Sequence, residues 1–276
     1  EKLLVANSHD TILCFTNKGK VYWLRVFEIP QASRTSRGRP MVNILPLDEG
    51  ERVTTFLPIQ EYKEDHFIFM ATANGTVKKT SLTQFSRPRS SGLIAIDLED
   101  DNELVGTAIT DGSNDVMLLS SAGKAARFKE TDVRAMGRTS RGVRGIRLTA
   151  EHKVISMVIP ETDGCVMTLS ENGYGKQTRV EDFPTKGRGS QGVIAMQVSD
   201  RNGALVGGVQ VFAGDEIMLI SDQGTLVRTR VDEVSIMSRN TQGVRMIKVK
   251  ENEKLIGVER IEEPEEAGQE PQEPRS

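Results

Sequence analysis

Ala135-Met136-Gly137-Arg138-Thr139-Ser140-Arg141-Gly142-Val143-Arg144-Gly145 is basic, rich in glycine, poor in large apolar side chains, and flanked on both sides by short apolar runs. Four relatives of this stretch recur: Ser33-Arg34-Thr35-Ser36-Arg37-Gly38, Ser86-Arg87-Pro88-Arg89-Ser90-Ser91-Gly92, Lys186-Gly187-Arg188-Gly189-Ser190-Gln191-Gly192 and Ser238-Arg239-Asn240-Thr241-Gln242-Gly243. Their final glycines fall at 38, 92, 142, 192 and 243, a spacing of 50 to 54 residues. The chain is an internal repeat, and a period in this range signals stacked or radially arranged units.

A second feature keeps the same step. Ile12-Leu13-Cys14-Phe15, Phe67-Ile68-Phe69-Met70, Val116-Met117-Leu118-Leu119, Val166-Met167-Thr168-Leu169 and Ile217-Met218-Leu219-Ile220 are each followed by a turn that ends at Gly19, Gly75, Gly123, Gly173 or Gly224. Four-residue apolar runs are too short for stable helices and suit buried strands. Asn74-Gly75 and Asn172-Gly173 are hairpin-turn dipeptides, because glycine supplies the positive φ such turns need. The outgoing strand alternates well in Gly75-Thr76-Val77-Lys78-Lys79-Thr80 and in Thr225-Leu226-Val227-Arg228-Thr229-Arg230-Val231. After the basic loop comes a third strand, such as Pro40-Met41-Val42-Asn43-Ile44, Leu93-Ile94-Ala95-Ile96 or Val143-Arg144-Gly145-Ile146. A fourth follows, such as Glu103-Leu104-Val105-Gly106 or Lys254-Leu255-Ile256-Gly257, and the opening Lys2-Leu3-Leu4-Val5-Ala6 matches it.

Four strands per period predict an all-β, propeller-like disc of about six blades, the first incomplete, because one such unit is too small to bury its own face. A helical solenoid is excluded by runs that are short, β-branched and punctuated by glycine turns. The expected domain covers residues 1–261. Residues 262–276 hold six Glu, three Pro and one Arg, and predict a disordered acidic tail that competes for basic surface. Removing the tail turns 36 basic and 39 acidic residues into 35 and 33, a net charge of +2. Clustering of the arginines therefore says more than the total charge.

Nothing here marks an active site. His9, His66 and His152 lie in polar turns, none at ligand spacing from a cysteine or a second histidine. Gly142-Val143-Arg144-Gly145 lacks the strand–loop–helix setting of a nucleotide fingerprint. Cys14 and Cys165 sit inside apolar runs and predict buried thiols in a reducing compartment, the cytoplasm. No apolar run approaches the length of a membrane span, so no membrane partner is expected.

The functional signal is periodic cation. Arg34, Arg37, Arg39, Arg87, Arg89, Arg138, Arg141, Arg144, Lys186, Arg188, Arg239 and Arg245 come at one point of each repeat. Arg25, Lys78, Lys79, Lys124, Arg127, Lys129, Lys176, Arg179, Arg228 and Arg230 form a second series on the outgoing strands. A solvated face explains any single one. In radial blades, however, equivalent positions share a rim and build a continuous basic arc. Small loop residues let the backbone N–H groups approach a phosphate. Bending 20–30 base pairs of duplex through 40–90° costs on the order of 1–6 kcal/mol, so several loops must share the task. Few aromatics argues against stacked single strands, and no side-chain set reads a groove. A propeller that binds proteins is the rival reading; it wants exposed aromatic anchors, and the chain has one Trp and three Tyr.

Several stretches resemble the C-terminal domain of the DNA gyrase A subunit: Met70-Ala71-Thr72-Ala73-Asn74-Gly75-Thr76-Val77-Lys78-Lys79-Thr80, Val133-Arg134-Ala135-Met136-Gly137, Gly142-Val143-Arg144-Gly145-Ile146-Arg147-Leu148, Asn172-Gly173-Tyr174-Gly175-Lys176 and Gly224-Thr225-Leu226-Val227-Arg228-Thr229-Arg230-Val231. The resemblance covers nearly all of residues 1–261. It implies a β-pinwheel in which neighbouring blades exchange strands, and chiral wrapping of duplex DNA in support of ATP-dependent negative supercoiling. It further implies that the partners are the gyrase B subunit together with the rest of the gyrase A subunit, that ATP and Mg act elsewhere, and that this chain has no cofactor. The family's seven-residue box, Q-[KR]-R-G-G-[KR]-G, does not occur in these 276 residues. In the family it sits in the first blade, which is expected to precede Glu1. The related subunit of topoisomerase IV is the nearest alternative.

Overall fold

The structure is a computed structural model that describes residues 4–33, 35–149 and 151–261; the acidic stretch 262–276 and Arg34 lie outside the described residues. The strands come in five sets: β1 (Thr11–Thr16), β2 (Lys20–Arg25) and β3 (Val53–Ile59); β4 (Phe67–Thr72), β5 (Thr76–Ser81), β6 (Leu93–Ile94) and β7 (Leu104–Thr110); β8 (Asp115–Ser120), β9 (Lys124–Lys129), β10 (Val143–Arg144) and β11 (Val154–Val158); β12 (Cys165–Ser170), β13 (Tyr174–Arg179), β14 (Val193–Ile194) and β15 (Leu205–Val211); β16 (Glu216–Ser221), β17 (Leu226–Arg230), β18 (Val244–Arg245) and β19 (Leu255–Ile261). No α-helix occurs among the described residues. The fold is the all-β, propeller-like pinwheel the repeat predicts.

In the first four sheets the apolar runs become central strands buried on both faces, which is why they read as continuous rather than alternating. On β4, Ile68 and Met70 pack with Leu13 and Phe15 of β1, whereas Phe69 and Ala71 pack with Val116 and Leu118 of β8. The same sharing joins Met117 and Leu119 to Val166, and Met167 and Leu169 to Ile217 and Leu219. Each core therefore lies between sheets, and a fully buried Phe69 contributes about 1.5–3 kcal/mol only when its neighbouring sheet is present.

Neighbouring repeats also exchange strands. β6 pairs with β2, β10 with β5, β14 with β9 and β18 with β13, all antiparallel. Each two-residue strand thus belongs to one repeat by sequence and to the preceding sheet by hydrogen bonding. Four sheets have four strands, and the fifth, β17-β16-β19, has three.

Two expectations change here. The described residues form five sheets instead of about six, and Leu4, Val5 and Ala6, the described part of the 2–6 stretch expected to end an earlier blade, carry no strand. Pro40–Ile44, read as a third strand, instead contains a 3-10 helix at Met41–Asn43. Its physical reason is pairing: its counterparts dock on the sheet before them, and among the described residues no sheet precedes β1–β3. Met41, Ile44 and Leu45 turn back onto Ile12, Cys14 and Leu24, covering the outer face of the first sheet. Across a cavity of about 520 Å³, Ile12, Leu24 and Phe56 of the first sheet face Met218, Ile220 and Leu226 of the last.

Candidate nucleic-acid interface

Each basic loop after the first is an arch over the outgoing strand of the preceding sheet. The loop after Val133 joins β5 at one foot, where Met136 N–H donates to Lys79 O at 2.7 Å, and at the other, where Val143 pairs with Val77. Gly142 closes that second foot at φ 102°, where a Cβ would come within 2.3 Å of Val77 O. Lys78, between the two feet, fills the arch. Its fully buried ammonium donates to Ala95 O at 2.6 Å, Arg138 O at 2.5 Å and Ser140 O at 3.1 Å. Lys176 does the same two arches further round, donating to Ser238 O at 2.8 Å, Arg239 O at 2.5 Å and Thr241 O at 3.2 Å. Burial, with the Arg138 guanidinium second, pushes Lys78 down to about 7; burial and then Arg239 push Lys176 down to about 8. Both lysines were expected on the rim. Their charged ends face inward because three main-chain carbonyls, at least two of them from the arch, match the three donors of an ammonium.

The next residue along each of the first four outgoing strands ties the following repeat down. Trp23 Nε1 donates to Phe85 O, Lys79 Nζ to Glu130 O, Arg127 Nη1 to Val180 O and Phe183 O, and Gln177 Nε2 to Val231 O and Val234 O. All these acceptors lie in or beside the short 3-10 helices that precede the arches. Lys79, also expected at the rim, is buried against Glu130 and the Phe67 ring, so it too faces inward. Arg127 is half-buried and paired with Asp115 at 2.9 Å.

A third periodic set lies flat on the preceding blade. Arg138 Nη1 reaches Ile94 O at 3.4 Å, Arg188 Nη1 reaches Arg144 O at 2.7 Å, and Arg239 Nη1 reaches Ile194 O at 2.9 Å. Their acceptors are the exchanged strands, so these arginines bracket the strand swap. Arg141 carries two carboxylates, Asp97 at 3.0 Å and Glu99 at 3.1 Å, and Arg228 is paired with Glu216.

Exposed, and with neither a carboxylate nor a main-chain carbonyl as partner among the described residues, are nine expected contacts: Arg37, Arg39, Arg87, Arg89, Arg144, Arg179, Lys186, Arg230 and Arg245. They are distributed over all five repeats. Arg201, absent from the expected set, is also exposed and lies within hydrogen-bond reach of Tyr174 beside Arg245. Its sequence context, Ser199-Asp200-Arg201-Asn202-Gly203, reads as an ordinary polar turn outside the basic loops.

A family model described as "DNA gyrase C-terminal domain, beta-propeller" matches residues 10–60, 66–111, 114–161, 166–211 and 215–262, one match for each sheet. The chain belongs to the DNA gyrase C-terminal domain family. The DNA gyrase A subunit of Salmonella typhimurium is 56% identical over 264 residues, and that of Escherichia coli K12 is 54% identical over 264. Each comparison covers 96% of this chain and 30% of the relative, so the chain spans about a third of the curated relatives' length. Among solved structures, a C-terminal domain of DNA topoisomerase IV superposes with a TM-score of 0.85 at 27% identity, covering 93% of this chain and 80% of that one. A DNA gyrase A C-terminal domain superposes at 0.79 with 25% identity, covering 92% and 83%.

Other reactive groups of this gyrase C-terminal domain are structural or solvated. Burial pushes the Cys14 thiol up to about 12 and raises Cys165 as well, which keeps both protonated. His152 Nδ1 lies 3.0 Å from Ser121 Oγ, and His9 is exposed. No group of three His, Cys, Asp or Glu capable of holding a metal occurs among the described residues, and no helix there is long and apolar enough to cross a membrane.

Proposed function

We propose that this chain binds duplex DNA through backbone phosphates and bends it, with a defined hand, around the basic rim of the disc. In this reading it is the non-catalytic C-terminal domain of a gyrase A subunit that supports ATP-dependent negative supercoiling. Its partners are double-stranded DNA, the gyrase B subunit, and the rest of the A subunit; ATP and Mg act elsewhere in that enzyme. The observation that carries the reading is the spread of nine exposed cations without carboxylate partners over all five repeats. Guanidinium groups on small-residue loops suit phosphate oxygens and carry no sequence code, so binding is weakly specific.

Salt dependence tests it. Nine phosphate contacts give a slope of about −8 in a plot of log K against log salt. A slope near −2 would remove the multi-blade interface.

The higher TM-score to the topoisomerase IV domain favours a second reading, in which the disc holds DNA crossings without a full wrap. Identities of 54–56% to gyrase A subunits weigh toward wrapping. Plasmid linking number separates the two.

A further inference from the structure

Tyr174 opens β13 and is only 3% exposed, yet its hydroxyl is held by two arginines from different segments. Arg201 Nε and Arg245 Nη2 each donate to Tyr174 Oη at 3.1 Å. The two guanidinium carbons also stand 5.3 and 5.4 Å from the ring centroid. Arg245 is the register partner of Tyr174 across the strand exchange. Arg201 comes from the turn before β15; the fully buried Asn202 fixes that turn to the arch by donating to Gln242 O at 3.3 Å and closes the turn itself by donating to Gln197 O at 2.7 Å. Lys176, two residues along β13, holds the same arch from inside.

We propose that Tyr174, Arg201 and Arg245 form a clamp for one backbone phosphate of duplex DNA at the junction of the fourth and fifth sheets. The inference rests on the duplex-binding reading above and names a specific site within it. Both guanidinium N–H groups donate to the phenol oxygen, and its own O–H has no acceptor among the described residues. Neither guanidinium has a carboxylate partner there, although two like charges share one phenol. A phosphodiester supplies what is missing: anionic oxygens for the spare N–H groups of both forks, and an acceptor for the phenol proton. The uncompensated field is felt at the phenol, which Arg201 and then Arg245 hold below the usual tyrosine range.

That field provides a readout independent of DNA. Burial raises Tyr22 and Tyr62, so Tyr174 ionises first in a tyrosinate absorbance titration. Inorganic phosphate, compared with sodium chloride at equal ionic strength, is expected to move that first transition to higher pH. The movement should vanish in Arg201→Gln/Arg245→Gln, and the transition itself should vanish in Tyr174→Phe. In duplex binding, the double arginine variant should shallow the log–log salt slope by about 0.9, the loss of one phosphate contact. Phosphate and chloride acting alike would overturn the clamp, and this arm needs no variant to fold. Duplex binding with an unchanged slope in the double variant would overturn the clamp alone. A chain that responds to phosphate yet binds no duplex would overturn the duplex reading and this choice of ligand with it.

Discussion

The buried ammonium of Lys176 donates to the main-chain carbonyl of Ser238 at 2.8 Å, joining a strand of one repeat to the basic loop of the next. Two further carbonyls and the Thr241 hydroxyl complete its surroundings. Replacing it with methionine keeps the aliphatic stem but leaves these acceptors without their donor. Lys176→Met should destabilise the chain by about 1–3 kcal/mol, read as a lower urea midpoint at unchanged m-value. It should also weaken duplex binding, although Lys176 touches no solvent.

Lys78 and Lys176 make stability depend on pH. Their folded values, about 7 and about 8, lie below the ordinary 10.5. Between those values and 10.5 the unfolded chain binds more protons than the folded one, so this contribution to stability rises with pH. The cost of burying both charges is present in full below pH 7 and is relieved as pH climbs toward 10.5. The stability of the parent minus that of Lys78→Met should therefore increase from pH 7 to pH 10, measured by urea unfolding. A pH-independent difference would contradict a depressed Lys78.

Hairpin glycines test the strand exchange. At Gly123, φ is 77° and an added Cβ would lie 2.2 Å from Met196 O of the next repeat; at Gly224, φ is 81° and nothing lies within 4 Å. Gly224→Ala should cost only the left-handed backbone term, about 1–2 kcal/mol. Gly123→Ala adds a clash with main chain and should cost about 1–3 kcal/mol more. Equal midpoints for the two variants would mean that no strand passes over Gly123.

The rim's arginines should separate by partner. Arg37→Gln/Arg39→Gln removes two exposed cations and should shallow the log–log salt slope by about 2. Arg141→Gln should leave the slope unchanged, because that guanidinium already holds Asp97 and Glu99. Fluorescence anisotropy of a labelled duplex, titrated at several salt concentrations, reads both.

Much of this architecture is legible in the sequence where the physics is local. Glycines at one period mark the hairpins, because Gly75 and Gly173 adopt φ of 87° and 85° that other residues resist. Continuous apolar runs mark strands buried on both faces. What sequence hides is non-local. Thr76-Val77-Lys78-Lys79-Thr80 looks like an alternating strand with its cations in water, yet the carbonyls that bury Lys78 include those of Arg138 and Ser140, some 60 residues later. Pro40–Ile44 has a strand's composition, and among the described residues no sheet precedes it to pair with. Arg201 gains its role only through Asn202, which ties a plain turn to a distant arch.

The central claim is that the rim imposes a hand on duplex DNA, and linking number reads this most directly. Relaxed plasmid incubated with this chain, then nicked and resealed by a type I topoisomerase, should show a linking-number change of one sign that grows with protein. No change, at protein concentrations where gel retardation shows the plasmid fully bound, would contradict it.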